Sequence, residues 1–481
     1  MNDIEIKIRN LKNTKVVATI GPSSSDINTL RQMIISGVNV CRINFSHSNH
    51  DDARAIIKTV RELNIELNTN VAILADLQGP KLRLGVVDEG SEIHTGDRFT
   101  ITTEEQVGNS KKAYITYPDF AKDVNPGEHI LLDDGKLMLQ VQETDMEHEV
   151  KTLVIQGGPL KSKKGVNLPN TNISLPCLTK KDLADLKVAL EEEIEWIGLS
   201  FVRAANDVKE LQAIIKKNNS SAKVIAKIEK PEAIAEIDEI IRVSGGLMVA
   251  RGDLGVEVPM ERVPSLQKMI VKKSQLASKP VIIATQMMES MIESMSPTRA
   301  EVNDVANSVY DGADALMLSG ETSVGKYPVH VIKAMTKIIR DVETSGMITK
   351  PENPPVEKND RYISNSICYH ASKLADQIGA KAILTMTHTG FNAFKISSHR
   401  PNSKVCIFTQ NRSILNTLSL LWGTRGYYYN KKGNTDDTIA DVQAILKAEG
   451  VAAPGDYVVN IASMPVEDKG MTNMLKVSVI K

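Results

Sequence analysis

A (β/α)8 barrel carrying an inserted small all-β lid domain and followed by a C-terminal α/β domain is the fold class this 481-residue sequence predicts. Three observations predict it. Eight short apolar runs alternate with amphipathic helical stretches, the pattern of a parallel barrel. The long gap between the third and fourth runs is turn-rich and alternates in period two instead. After a breaker-rich stretch at Lys350-Pro351-Glu352-Asn353-Pro354-Pro355, strand and helix signals resume.

The elements follow in order. Val16–Gly21, Val38–Phe45, Ala72–Gln78, Trp196–Val202, Lys223–Glu229, Leu247–Asp253, Pro280–Met287 and Ala315–Thr322 read as buried parallel strands. Helical periodicity is predicted over Ile27–Ile35, Asp51–Leu63, Lys180–Glu193, Asp207–Lys217, Glu232–Val243, Arg262–Ala277, Arg299–Val309 and Val329–Thr344. Within Gly85–Leu160 the strand signals lie at Phe99–Thr103, His129–Leu132, Lys136–Val141 and Thr152–Ile155; an insertion at a βα loop hangs over the barrel mouth. The second α/β unit takes strands near Ala382–Thr387, Val405–Thr409, Gly426–Tyr429, Tyr457–Ile461 and Leu475–Ile480. The expected division is an N-terminal segment 1–13, a barrel 14–82 and 174–345, a lid 83–173 and a C-terminal regulatory and oligomerisation domain 346–481.

Composition narrows the function. Hydrophobic content of 42%, charged content of 24% and a net charge of −1 are those of an ordinary globular protein, with no electrostatic footprint for nucleic acid or an anionic membrane. The polar start Met1-Asn2-Asp3-Ile4-Glu5 and the absence of a long apolar stretch predict a cytoplasmic chain. Cys41, Cys177, Cys368 and Cys406 show no metal-ligand spacing and are expected as buried free thiols.

The strand ends carry the chemistry. Thr19; Arg42, Asn44, Ser46 and His47; Asp76, Lys81 and Arg83; Ser200 and Arg203; Lys227 and Glu229; Arg251 and Asp253; Thr285 and Gln286; Ser319 and Glu321 ring one cavity. Residues two apart share a strand face, so Lys227 and Glu229 point the same way. Glu229 and Asp253 on neighbouring strands can converge on one Mg2+ or Mn2+ beside an ammonium, equipment for charge on a phosphate or an enolate. Arg42 and Arg83 offer planar forks for phosphate oxygens. Gly252-Asp253-Leu254-Gly255 offers backbone N–H groups for a carboxylate. The lid adds the cations Lys161-Ser162-Lys163-Lys164-Gly165.

Several motifs together closely resemble the pyruvate kinase family over essentially the whole chain. They are Thr14–Ser23, Arg42–His47, Lys163–Pro169, Met248–Gly255, Ala284–Met287, Pro297–Glu301 and Met317–Thr322. The resemblance implies Mg2+-dependent transfer of a phosphoryl group from phosphoenolpyruvate to ADP, giving pyruvate and ATP in glycolysis. It implies catalytic roles for Lys227, Arg42, Arg83, Thr285 and Ser319, and substrate contacts from Arg42, Lys227, Gly252, Asp253 and Thr285. It further implies nucleotide contacts from Arg83, Lys164, His47 and Asn44, and Mg2+ (or Mn2+) on Glu229 and Asp253. One position departs from the common pattern. Lys81 stands where many members carry Glu beside a K+ site, and a tethered ammonium can supply that charge, so K+ is not expected to be required. Thr387, Thr389 and Gly390, with Asn392 where a second hydroxyl residue is usual, correspond to the loop that holds a sugar-phosphate effector in regulated members, with AMP a second effector candidate; a plain helix start with threonine caps is the alternative. A homotetramer is the family's usual state. A Mg2+-dependent enolate lyase is the alternative enzyme; the lid cations and the two arginines argue against it, since carbon–carbon cleavage needs no second phosphate site. A non-catalytic sensor would be marked by loss of Lys227 or of a metal ligand, and neither is lost.

Overall fold

The computed structural model describes residues 12–431, 435–464 and 470–481, so most of the expected N-terminal segment, residues 1–11, lies outside the described residues. Eight parallel strands close a barrel: β1 (Lys15–Thr19), β2 (Val40–Asn44), β3 (Ala72–Asp76), β4 (Trp196–Leu199), β5 (Lys223–Ile228), β6 (Gly246–Ala250), β7 (Val281–Ala284) and β8 (Ala315–Leu318). Each pairs with its neighbours in sequence, and β8 returns to β1 with Lys15 level with Ala315. The strands are buried on both faces, which is why they read as continuous apolar runs. Period two still sorts their faces. Val17, Val40, Leu74, Ile225, Met248 and Ile282 meet on the barrel axis, while Val16, Ile73, Val224, Val249 and Ile283 pack outward beneath the helices.

Strand ends and one helix differ from expectation. The strand expected over Leu247–Asp253 stops at Ala250, its last residue level with a neighbour (Ala284), and Arg251–Glu257 coils into a helix. Past the rim no ladder partner remains, so the backbone bonds turn inward to a helix. Likewise β8 stops at Leu318 and Gly320–Ser323 is helical. The helix expected over Glu232–Val243 is broken into Pro231–Ala235 and Ile237–Val243.

Between β3 and β4 stands a lid with its own core, built around Phe99, Ile101, Tyr117, Phe120, Leu139 and Val154. Its sheet runs Val166–Asn167, His129–Leu132, Leu137–Thr144, Glu149–Gln156, Arg98–Thr102 and Lys112–Tyr114. The C-terminal α/β domain holds four parallel strands, Thr424–Tyr428, Lys404–Thr409, Ala382–Met386 and Tyr457–Ala462, with Met474–Val479 antiparallel at the edge.

That domain plugs the N-terminal end of the barrel. Leu420 joins the axial core, Trp196 Nε1 donates to the Thr417 carbonyl at 3.2 Å, and the Arg400 fork grips Asp314 at 3.1 and 2.9 Å. Among the described residues this leaves the C-terminal ends of the strands as the end of the axis that the domain does not cover. The four cysteines are buried and joined in no disulfide. Among the described residues no helix is long and apolar enough to cross a membrane.

His399 gives the C-terminal domain a pH dependence. Its ring packs edge-on to Tyr369 at 5.4 Å. Burial, aided by the charges of Lys395, Lys373 and Arg400 against the weaker opposing pull of Glu352, pushes its pKa down from 6.5 to about 4. The folded state thus binds fewer protons than the unfolded chain as pH falls through 6.5 toward 4, and stability drops across that window. We expect His399 alone to remove about 2 kcal/mol between pH 7 and pH 5. Denaturant unfolding of wild type and His399→Asn at both pH values checks it; an equal pH dependence in the two proteins contradicts it.

Candidate active site

At the C-terminal rim the alternation that fills the axis with apolar side chains delivers polar ones. Two residues beyond Val17, Val40, Leu74 and Ile225 on the same faces come Thr19, Arg42, Asp76 and Lys227. One further step brings Asn44 and Glu229.

Asp76 is the centre of this ring and is 1% exposed. Its Oδ2 accepts from Arg42 Nε at 2.7 Å and its Oδ1 lies 3.3 Å from Lys227 Nζ. Arg42 also donates to Thr19 Oγ1 at 2.9 Å. Lys227 Nζ lies 2.9 Å from Glu229 Oε1 and donates to Ser200 Oγ at 2.7 Å. Glu229 Oε2 accepts the Phe201 N–H at 2.7 Å. Gly198 on β4 makes room, since a Cβ there would sit 3.1 Å from Asp76 Oδ1. Gly79, in the left-handed region (φ +69), brings the β3 loop so close to the β4 loop that a Cβ would meet Phe201 at 2.8 Å.

The charges set the protonation states. Burial would raise the Asp76 carboxyl, but Lys227 and Arg42 hold it below the usual carboxylate range. Burial also opposes the Lys227 charge, yet Asp76, Glu229 and Asp253 hold its pKa above that of an ordinary lysine, so it stays an ammonium. Glu229 goes the other way. Burial raises it, the like charge of Asp253 adds to that, and Lys227 with the Phe201 amide does not fully offset them.

Three carboxylates (Asp76, Glu229, Asp253) thus face two cations (Arg42, Lys227), one positive charge short. A divalent cation at Glu229 and Asp253 fits this deficit and these hard oxygen donors. Asp253 stands half-buried in the first turn of Arg251–Glu257, close enough for its field to act on both Glu229 and Lys227. Among the described residues no cluster of three or more His, Cys, Asp or Glu is arranged as a metal site. Mg2+ needs none, because it keeps waters and takes substrate oxygens to complete its shell.

The β7 loop is strained. Thr285 and Gln286 both hold positive φ, +69 and +53. Non-glycine residues in that region cost about 1–3 kcal/mol each and gather at functional sites. Arg251 braces the turn, donating to the Thr285 carbonyl and to Asp304 Oδ1 at 2.7 Å each. It therefore supports the site from behind, a role its position after an apolar run did not reveal. Thr285 Oγ1 accepts the Gly252 N–H at 2.7 Å and donates to the Ala284 carbonyl at 2.6 Å. The Gly252 amide expected to be bare is thus already bonded to Thr285, and an incoming carboxylate would replace that bond. Ser319 is half-buried at the end of β8, its N–H donating to Glu321 Oε2 at 2.7 Å.

An outer ring of cations faces the lid. His47 is exposed, and its basicity is lowered by burial of part of the ring and by Arg83, Lys81, Arg42 and Lys181, four cations converging on one corner. Arg83 donates to the Lys163 carbonyl at 3.0 Å. Lys164 turns to Asp133 within the lid at 2.9 Å. Lys81 is exposed, its Cε 3.7 Å from where a Gly165 Cβ would stand. Asn44 Oδ1 accepts the Ser46 N–H at 3.1 Å. Lys81, Asp253 and Asn167 of the lid line one crevice between lid and barrel.

The C-terminal loop is more closed than its sequence suggests. Thr387 Oγ1 accepts the Gly390 N–H at 2.9 Å, Gly390 holds φ +80, and Thr389 is exposed. Asn392 instead points into the core, 5% exposed, its amide donating to Thr385 Oγ1 at 3.1 Å and to Thr472 Oγ1 at 2.7 Å. Its neighbours in sequence gave no sign of these partners, which come from a strand and a distant loop.

Comparison with known proteins agrees in every part of the chain. The family model "Pyruvate kinase, barrel domain" matches residues 11–332, and "Pyruvate kinase, alpha/beta domain" matches residues 365–478. A pyruvate kinase of Corynebacterium efficiens is 40% identical over 470 residues, covering 98% of each chain. That of Geobacillus stearothermophilus is 40% identical over 477 residues, 98% of this chain and 80% of its own. The crystal structure of a pyruvate kinase from Cryptosporidium parvum superposes with a TM-score of 0.91 at 32% identity, over 100% of this chain and 98% of that one.

Proposed function

Because the chain belongs to the pyruvate kinase family, and so is a phosphotransferase, we propose that it moves the phosphoryl group of phosphoenolpyruvate to ADP in glycolysis. The observation that carries this reading is the buried Lys227 ammonium, held between Asp76 and Glu229 with Asp253 in range. In the reaction the phosphorus–oxygen bond to the enol oxygen breaks. A new one forms to a terminal oxygen of ADP, and the enolate left behind takes a proton at its methylene carbon. Mg2+ bound by Glu229 and Asp253 would neutralise developing oxygen charge. Lys227, fixed by Ser200 and two carboxylates, presents its charge to the transferring group and the enolate without reorganising. Arg42, clamped by Asp76 and Thr19, offers its remaining N–H groups to the phosphate. The Thr285 hydroxyl receives the substrate carboxylate together with the backbone N–H groups of Gly252 and Asp253, and with Ser319 belongs to the route of the proton.

Arg83, His47, Asn44 and Lys164 are assigned to the nucleotide side, where the field at His47 is positive. Lys164 must leave Asp133 to take part. Lys81 is assigned as the built-in substitute for K+; it lines the lid–barrel crevice with Asp253 and adds to that positive field. A cytoplasmic homotetramer is proposed on the family's pattern, with domains 14–82 plus 174–345, 83–173 and 346–481. An effector, a sugar phosphate or AMP, is assigned to the loop of Thr387, Thr389 and Gly390, of which Thr389 is exposed, with Asn392 as its buried support rather than a direct contact.

The test is turnover of phosphoenolpyruvate and ADP with Mg2+ in a buffer whose only monovalent cation is organic. Pyruvate and ATP are expected at a rate that added K+ changes by less than about threefold, since a tethered ammonium already supplies the charge. Activity that needs K+ contradicts the role of Lys81, and no pyruvate under any salt contradicts the reaction.

A further inference from the structure

We propose that Asn167, Glu257 and Lys230 form a latch that registers the lid against the metal-holding residues, acting as positioning residues for phosphoryl transfer; the idea rests on the metal reading above. A single carboxylate oxygen, Glu257 Oε1, receives two bonds: from Lys230 Nζ at 2.7 Å and from Asn167 Nδ2 at 2.8 Å. The three residues come from three separate pieces of chain. Lys230 directly follows Glu229 at the end of β5. Glu257 lies one turn beyond Asp253 on the helix Arg251–Glu257. Asn167 lies in the lid strand Val166–Asn167. One oxygen thus joins the carrier of each assigned metal carboxylate to the lid.

Two features separate this junction from ordinary seam packing. Lys230 and Glu257 are 5% and 4% exposed. A buried ion pair is no more stable than an apolar pair of the same shape, so fold stability gives no reason for one here. Among the described residues Glu257 Oε2, also buried, takes no hydrogen bond, so the carboxylate is held at one oxygen. A second part of the lid comes near the same helix. The hairpin at residues 133–135 rests near Val256, where a methyl added to Gly135 would lie 3.9 Å from Val256 Cγ1. That hairpin carries Asp133, the partner of Lys164. Displacing the lid therefore pulls on the helix bearing Asp253 and, through Lys230, on the residue beside Glu229.

The experiment is a double-mutant cycle in the full-length enzyme with Asn167→Ala, Glu257→Leu and both together. Steady-state kinetics, Mn2+ titration of the free protein by electron paramagnetic resonance and thermal melting are read for each. Each single change is expected to lower kcat about tenfold, the share of one charge-assisted hydrogen bond. Mn2+ affinity and the KM for phosphoenolpyruvate should move by less than about twofold. The combined variant should be no slower than the slower single, because both cut one link. Should Glu257→Leu fail to fold because Lys230 loses its partner, the apolar pair Lys230→Met with Glu257→Leu keeps the packing and is expected to show the same loss. A turnover of Asn167→Ala near wild type, or losses that multiply, overturns the latch. The metal reading fails by a different result, unchanged Mn2+ affinity in Glu229→Gln.

Discussion

Replacing Lys227 by Met lowers kcat by about a thousandfold or more while Mn2+ still binds, because the contact removed is made to charge that develops in the transition state. The geometry sets this size. The ammonium is 9% exposed and fixed by Ser200, Asp76 and Glu229, so no water or mobile side chain can replace it. Met fills a similar volume, which keeps the change from acting through a cavity. It also leaves Asp76 with Arg42 as its remaining cation and Glu229 with only the Phe201 amide, so both carboxyls become more basic. The metal site should therefore bind more weakly at low pH but persist near neutrality. Stopped-time assays of pyruvate release with Mn2+ titration in parallel check the pair of outcomes. Turnover within about tenfold of wild type would remove Lys227 from the chemistry.

The second large effect belongs to Glu229. Glu229→Gln keeps the shape and an acceptor for the Phe201 N–H, but removes one of the two charges assigned to the cation. Mn2+ affinity is expected to fall by about a hundredfold, beyond what loss of an outer partner brings. The apparent KM for phosphoenolpyruvate should rise with it, since the substrate completes the metal shell. Asp253→Asn should follow the same direction. High Mg2+ should restore much of the lost rate in Glu229→Gln and none in Lys227→Met, which separates a metal ligand from a transition-state contact.

The barrel was legible because its strands are buried on both faces and so appear as unbroken apolar runs, and because polar residues at their ends share a face by simple alternation. Thr19, Arg42, Asp76, Lys227 and Glu229 follow from that rule alone. Asp76 was visible as a strand end, but not as the carboxylate shared by Arg42 and Lys227. That pairing depends on distances between strands, and its one sequence trace is the glycine facing it, Gly198. The start of the Arg251–Glu257 helix, as far as Asp253, was read as strand because the preceding run is apolar and local propensity does not say where the neighbouring strand stops. The brace from Arg251 and the link through Glu257 were hidden for the same reason: each joins elements far apart in the chain. Asn392 looked like a loop hydroxyl substitute, yet its partners Thr385 and Thr472 turn it inward.

The most direct measurement is a crystal structure of the enzyme with Mn2+ and phosphoenolpyruvate, with the ion located by anomalous scattering. The account predicts one ion about 2.0–2.3 Å from a carboxylate oxygen of Glu229 and another of Asp253, with Lys227 Nζ beside the phosphate. An ion bound by neither carboxylate, or a Lys227 ammonium turned away from the substrate, would contradict it.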